Sequence, residues 1–86
     1  IMEVANLLMR ISKGKMEFQP ESDSEIDYMA FQPIAHALLN ATDEGLLEIR
    51  DYSYEDHSCG RYYDHIVVKC LTDRGNEYLE SVSLGI

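Results

Sequence analysis

Cations are scarce in this chain. Seven Lys+Arg stand against sixteen Asp+Glu, a formal net charge of −9 over 86 residues. Phosphate backbones are held by Lys and Arg, and that term dominates non-specific affinity for nucleic acid. So acidic a chain repels DNA and anionic membrane surfaces at long range unless its few bases gather on one surface. The candidates for such basic contacts are Arg10, Lys13 and Lys15, near the end of the first predicted helix, together with Lys69.

Other absences narrow the field further. No apolar run approaches a membrane span, and no signal-peptide pattern opens the chain. The first residues, Ile1-Met2, leave open whether Met2 is the natural start or the chain is a fragment. There are only two cysteines, Cys59 and Cys70. If both lie in or beside one strand, a rise of roughly 3.3 Å per residue holds them too far apart for a disulfide. Free thiols imply a reducing compartment, and the cytoplasm is expected. No Gly-rich phosphate loop is present. His57, Cys59 and His65, with Asp56 and Asp64, fit no standard zinc spacing, since there is no CxxC and no HxxxH. Cys59 has His57 two residues away, but acidic neighbours raise a thiol pKa rather than lower it, which disfavours a nucleophile. Neither a cofactor, a metal nor a catalytic residue is expected.

What is present has the length of one small domain, residues 1–86, with no internal repeat and no linker. Val4, Leu7, Leu8 and Ile11 recur at i, i+3, i+4, i+7, the apolar stripe of a helix from Met2 to about Lys13, stopped by Gly14. Met16 and Phe18 alternate with polar residues as a short strand ended by Pro20. Ser22 and Glu25 have capping-box spacing, opening a short second helix with Ile26, Met29 and Ala30 inward. Gln32-Pro33 reads as a break, and Pro33 as the first residue of a third helix ending at about Glu44. The alternative, one long Pro-kinked helix from Asp23 to Glu44, fits the pattern less well. In the third helix Ile34, Ala35, Leu38, Ala41 and Thr42 share the inner side, with Leu39 at its border. His36, Asn40, Asp43 and Glu44 share the outer side, and Gly45 closes the helix.

Two strands follow, Leu46–Tyr54 with Leu47 and Ile49 inward, and Arg61–Leu71 with Ile66, Val68 and Cys70 on one face. They are joined by a polar turn at Glu55–Gly60 to make a β-hairpin. Thr72 then caps a last helix whose Gly75, Tyr78, Leu79 and Val82 fall on one stripe.

Two stretches carry a family resemblance. Ile34-Ala35 through Leu38 to Gly45-Leu46-Leu47-Glu48-Ile49 is similar to a recognition helix running into the first strand of a wing. Leu71-Thr72-Asp73-Arg74-Gly75-Asn76-Glu77-Tyr78-Leu79 is similar to the closing helix of a winged-helix domain. In this order they resemble the winged-helix variant of helix-turn-helix, and among its members the small uncharacterised proteins of prophages and mobile elements. The resemblance covers nearly the whole chain. It implies an α+β fold: a three-helix core, a small antiparallel sheet with a hairpin wing, and a C-terminal helix. It also implies that the helix bearing His36, Asn40, Asp43 and Glu44 would face a DNA groove. That face has no Arg or Lys, the commonest readers of guanine. Glu55 and Asp56 sit near the wing tip.

Four of six tyrosines lie in the hairpin: Tyr52, Tyr54, Tyr62 and Tyr63. Cross-strand packing alone accounts for such a cluster. Tyrosine is also enriched at protein interfaces, so Tyr52, Tyr54 and Tyr63, with Val67 expected outward beside them, form the expected contact surface. The reading from sequence is a non-enzymatic module working through protein contacts, as a homodimer. A DNA-binding regulator of the same fold is the alternative.

Overall fold

The computed structural model describes residues 4–58 and 60–84. Six elements follow in order: α1 (Val4–Ser12), β1 (Glu17–Phe18), α2 (Glu25–Asp43), β2 (Leu47–His57), β3 (Gly60–Leu71) and α3 (Asp73–Leu84). The arrangement is α+β, with three helices packed against an antiparallel sheet of order β1-β3-β2. The long central strand β3 therefore joins the first and second halves of the chain.

α1 forms as its periodicity dictates. Leu7, Leu8 and Ile11 are buried, with Val4 packed beside them. The expected start at Met2 lies outside the described residues. β1 pairs with β3 through Glu17↔Val67 and Phe18↔Ile66, and buried Phe18 joins Ile66 in the core.

α2 corrects the sequence reading. It is one helix of 19 residues that runs through Pro33, so three helices are found among the described residues where four were expected. The cause is a single buried stripe: Phe31, Gln32, Ala35, Leu38 and Ala41 continue across the proline without a change of phase. A proline inside a helix costs about 3 kcal/mol. Full burial of one Leu or Phe offsets most of that, at about 1.5–3 kcal/mol per side chain. Pro33 is on the exposed side, where water can reach the carbonyl it leaves without a donor. The same phase turns Ile26, Met29 and Ala30 outward rather than inward, Ile26 being 82% exposed. The cap also differs. Ser24, not Ser22, is the N-cap and accepts from the Asp27 N–H at 3.3 Å, while the Ser22 hydroxyl donates to Asp27 Oδ2 at 2.6 Å.

At the far end of α2, Gly45 N–H donates to Thr42 O at 3.0 Å and Leu46 N–H to Ala41 O at 2.9 Å. This paired closure requires a left-handed residue, and Gly45 supplies it at φ 78°. α3 begins against the same turn. The Thr72 N–H donates to Leu46 O at 3.1 Å, its hydroxyl donates to Gly45 O, and that hydroxyl accepts from the Gly75 N–H at 3.0 Å. A β-carbon added at Gly75 would lie 1.9 Å from Leu46 O, so only glycine allows this approach. Leu79 is buried below it, whereas Tyr78 and Val82, expected on the same stripe, are exposed.

The hairpin is longer than its sequence suggested. The strands pair out to His57↔Gly60, so Glu55, Asp56, His57 and Gly60, expected in the turn, belong to the strands. Leu47, Ile66 and Val68 face the core, and Ile49 packs at its border. Cys70, expected beside Val68, stands opposite exposed Glu48, because a register shift lies between Glu48 and Ile49. Beyond Ile49 every residue of β2 is exposed. The hairpin is thus an arm that runs past the helices, and the molecule measures 42 × 24 × 22 Å.

Candidate functional site

The arm gathers aromatic side chains on one face. Tyr52, Tyr54 and Tyr63 form a triangle with ring centroids 5.9, 6.0 and 5.9 Å apart. Such offset and edge-on contacts add about 0.5–1.5 kcal/mol per pair beyond area burial. Tyr63 is half-buried against the core, while Tyr52 is 46% and Tyr54 39% exposed. The Arg61 guanidinium lies 3.9 Å from the Tyr54 ring centre and its Nε donates to Asp56 Oδ1 at 3.1 Å. That bond and its carboxylate raise the Arg61 pKa further, so it is a fixed cation. The Arg61–Asp56 ion pair and the His57–Glu55 contact at 3.4 Å are exposed. Such pairs are worth little in water.

A second group locks the arm to α2. The Tyr28 hydroxyl donates to Tyr62 O at 3.2 Å, the Tyr28 and Tyr62 rings are 6.1 Å apart, and the His57 ring lies 5.1 Å beyond. Burial, then Glu55 and Asp64, push the Tyr28 pKa up, so it remains a donor. Gln32 sits beneath. Its Nε2 donates to Tyr63 O at 2.8 Å and to Tyr28 O at 2.9 Å, and its Oε1 accepts from the Tyr63 N–H at 2.7 Å. Sequence reading overlooked Gln32. The available signal was its place on the Tyr28, Phe31, Gln32, Ala35 stripe, i, i+3, i+4, i+7, as the polar residue among apolar ones.

Val67 is separated from these tyrosines. Tyr52 stands opposite Ile66 and Asp51 opposite Val67, so Val67 is on the other face of the sheet. The reason is a bulge. Between Ser53 and Tyr54 the register shifts by one residue at Asp64, which breaks the alternation linking Tyr63, His65 and Val67. Val67 instead lines a depression with Glu17, Arg50 and Lys69. Lys15 borders the same region. Its neighbour Met16 accepts through its carbonyl from the Val68 N–H at 2.7 Å, and its own ammonium lies 5.1 Å from the Phe18 ring centre. Lys15 and Lys69 are thus brought to one end of the sheet. Arg10 and Lys13 remain on the exposed side of the end of α1.

The expected recognition face is divided. His36 stands edge-on to Tyr63, with centroids 6.0 Å apart, and so joins the arm. Asp43 and Glu44 line a groove with Arg74 and Tyr78 of α3. Asn40 is exposed between these regions. Of these four, His36 extends the tyrosine face.

His65 is opposite Ser53 and His57 opposite Gly60, at different levels of the arm; Cys59 lies outside the described residues. Among the described residues, no three His, Cys, Asp or Glu side chains converge to hold a metal ion, and no helix is long and apolar enough to cross a membrane. The Cys70 thiol donates to Glu48 Oε2 at 3.4 Å, and that bond, then burial and the carboxylate charge, raise its pKa despite Lys69. No protein-family model, curated protein or solved structure matches this chain.

Proposed function

We propose that this chain is a non-enzymatic binding module of winged-helix type that works through protein–protein contacts, as a homodimer formed by the tyrosine face of its arm. The order helix, strand, helix, hairpin, helix supports the winged-helix reading, although a continuous α2 stands where helix-turn-helix proteins have a turn. One observation carries the interface: Tyr52, Tyr54 and Tyr63 are already packed against each other, with Arg61 stacked on Tyr54 and the outer two rings open to solvent. Aromatic side chains lose little entropy on association and, with Arg, dominate many interfaces. β2 also has an unpaired edge over its 11 residues. Asp51, Glu55 and Asp56 along it oppose indiscriminate strand pairing, which favours the tyrosine face over the bare edge.

Sedimentation equilibrium tests this. The expected mass is about twice the 9.9 kDa of the chain, and Tyr52→Ala with Tyr54→Ala should return it to one chain with the fold intact. A monomer at millimolar concentration would reduce the triangle to cross-strand packing.

The second reading is a DNA-binding regulator. One contact favours it: His36 against Tyr63 makes the exposed side of α2 and the arm one surface. The charge of −9 opposes it. Duplex affinity at physiological salt should be no tighter than the roughly 10⁻⁴–10⁻⁶ M of non-specific binding. Nanomolar anisotropy titrations with a steep salt slope would promote this reading over the first.

A further inference from the structure

The outer side of α2 presents an apolar surface that nothing in the fold covers. Ile26, Met29, Ala30 and Pro33 recur at i, i+3, i+4, i+7 and all four are exposed, Ile26 at 82% and Met29 at 47%. A stripe of this period is the face by which one helix packs on another. It continues into a groove of about 210 Å³ whose apolar walls are Pro20, Ala30, Phe31 and Ile34, with Glu21 and Asp27 also lining it. Exposed Ile26, Ala30 and groove-lining Ile34 are spaced i, i+4, i+8, so stripe and groove are one surface.

Charge selects the occupant. From Met16 to Ile49 the sequence has no Lys or Arg, and it has eight acids, of which Glu21 and Asp27 line the groove and Glu25 stands in the first turn of α2, one position before Ile26. Glu25 and Asp27 also complement the N-terminus of α2, so their carboxylates are fixed features of the helix start. We infer that this surface docks a cationic amphipathic helix of another protein, with apolar residues on the stripe and Lys or Arg toward the acids. A second copy fits poorly. Two α2 helices face to face would oppose acid with acid, and the end of α1 sets one exposed apolar side chain, Met9, beside Arg10 and Lys13, too little to cover a stripe of four. Anionic membranes are repelled by the same charges. The stripe shares no residue with the tyrosine triangle, so substitutions test the two assignments separately.

The test uses a fluorescein-labelled peptide of about 18 residues, long enough to hold a helix on docking, with Leu at i, i+3, i+4, i+7 and Lys elsewhere. Its binding is followed by anisotropy at physiological salt, beside a scrambled peptide of the same composition. The amphipathic peptide should bind wild type at least tenfold more tightly than the scrambled one. The double variant I26S/M29S should lose about tenfold, a change of about 1.4 kcal/mol, while Y52A/Y54A should bind as wild type. Both stripe residues are exposed, so the thermal melt of the variant should be unchanged and serves as the folding control. Equal binding of the scrambled peptide would reduce the effect to charge condensation and overturn the inference. So would full binding by I26S/M29S. Dissociation of a homodimer by I26S/M29S would also overturn it, by assigning the stripe to a second copy.

Discussion

The side-chain amide of Gln32 pairs with the backbone of Tyr63 as a neighbouring strand would, donating to its carbonyl at 2.8 Å and accepting from its N–H at 2.7 Å. β1 is only two residues long and pairs with β3 at Ile66 and Val67. Beyond that point Gln32 takes over the role of the missing strand, 6% exposed, on a helix instead of a sheet. A buried amide that uses both ends sets the height of the arm on α2.

Gln32→Leu leaves the Tyr63 N–H and carbonyl without these partners. Half-burial of Tyr63 admits some water, so the expected loss is about 1–3 kcal/mol, measured by urea unfolding. Gln32→Glu adds a pH signature. The protonated acid can both donate and accept at Tyr63, whereas the carboxylate cannot donate and is buried. Its folded pKa should therefore exceed the unfolded value of about 4.3. Stability from this group is then full below about pH 4.3 and lost as pH rises through the folded pKa. The gap in melting temperature between wild type and Gln32→Glu should widen from pH 4.5 to 7.5. A constant gap would mean that the Glu side chain has swung out to solvent.

Pro33→Ala separates one continuous helix from two. Within a helix the substitution restores an N–H for the Met29 carbonyl and removes a ring clash. After subtracting the entropy that proline takes from the unfolded chain, a gain of about 1–2 kcal/mol is expected. At the first position of a separate helix proline is the favoured residue, and the same change would be neutral or harmful. Chemical denaturation distinguishes these results.

Gly75→Ala sets helix propensity against a backbone collision. Alanine gains up to about 1 kcal/mol over glycine in a helix. Its β-carbon, however, would meet Leu46 O at 1.9 Å, and a carbonyl that accepts from Thr72 cannot move freely. A net loss of about 1–3 kcal/mol is expected. An unchanged or higher melting temperature would show that α3 slides away from Leu46 at little cost.

Cys70 reports on Glu48. The raised thiol pKa means that stability from this group is full below the unfolded pKa of about 8.5 and is lost as pH rises through the folded value. In a Cys59→Ser background, Glu48→Ala should speed iodoacetamide alkylation at pH 8 and move the midpoint of its pH profile downward. An identical profile in the variant would mean that the thiol does not bond to Glu48 in solution.

Local patterns made α1, β1, the hairpin, the Thr72 cap and the close approach at Gly75 legible in the sequence, because spacing over a few residues determines each. α2 was misread for one physical reason. Treating Pro33 as a boundary resets the helical phase, after which Ile26, Met29 and Ala30 make the most apolar face. In the continuous helix Leu38 and Ala35 fix the phase, and they draw Tyr28, Phe31 and Gln32 inward. Gln32 looks like a surface residue until its partner is known, and Tyr63 is 31 positions away. The tyrosine cluster was legible from composition and spacing, but the place of Val67 was not. A bulge at Asp64 cannot be seen in the alternation it interrupts.

The root of the arm is clasped by Gly45, Leu46 and Thr72, its outer part is held to α2 by Tyr28 and Gln32 through Tyr62 and Tyr63, and the pairs Asp56↔Arg61 and His57↔Gly60 extend beyond the last of these anchors. The reach beyond Tyr62 is therefore free to vary. Removing a facing pair such as Asp56 and Arg61 shortens the arm by about 3.4 Å and leaves Tyr52, Tyr54 and Tyr63 on their present face, since they lie nearer the root. Deleting Arg50, the unpaired residue between Ile49↔Val68 and Asp51↔Val67, is absorbed differently. It removes the bulge, leaves the pairs of β2 with β3 in place and keeps Tyr52 and Tyr54 on their present face. Length beyond Tyr62 is thus adjustable pair by pair, while the facing of the tyrosines is held by the register and by the anchors on α2.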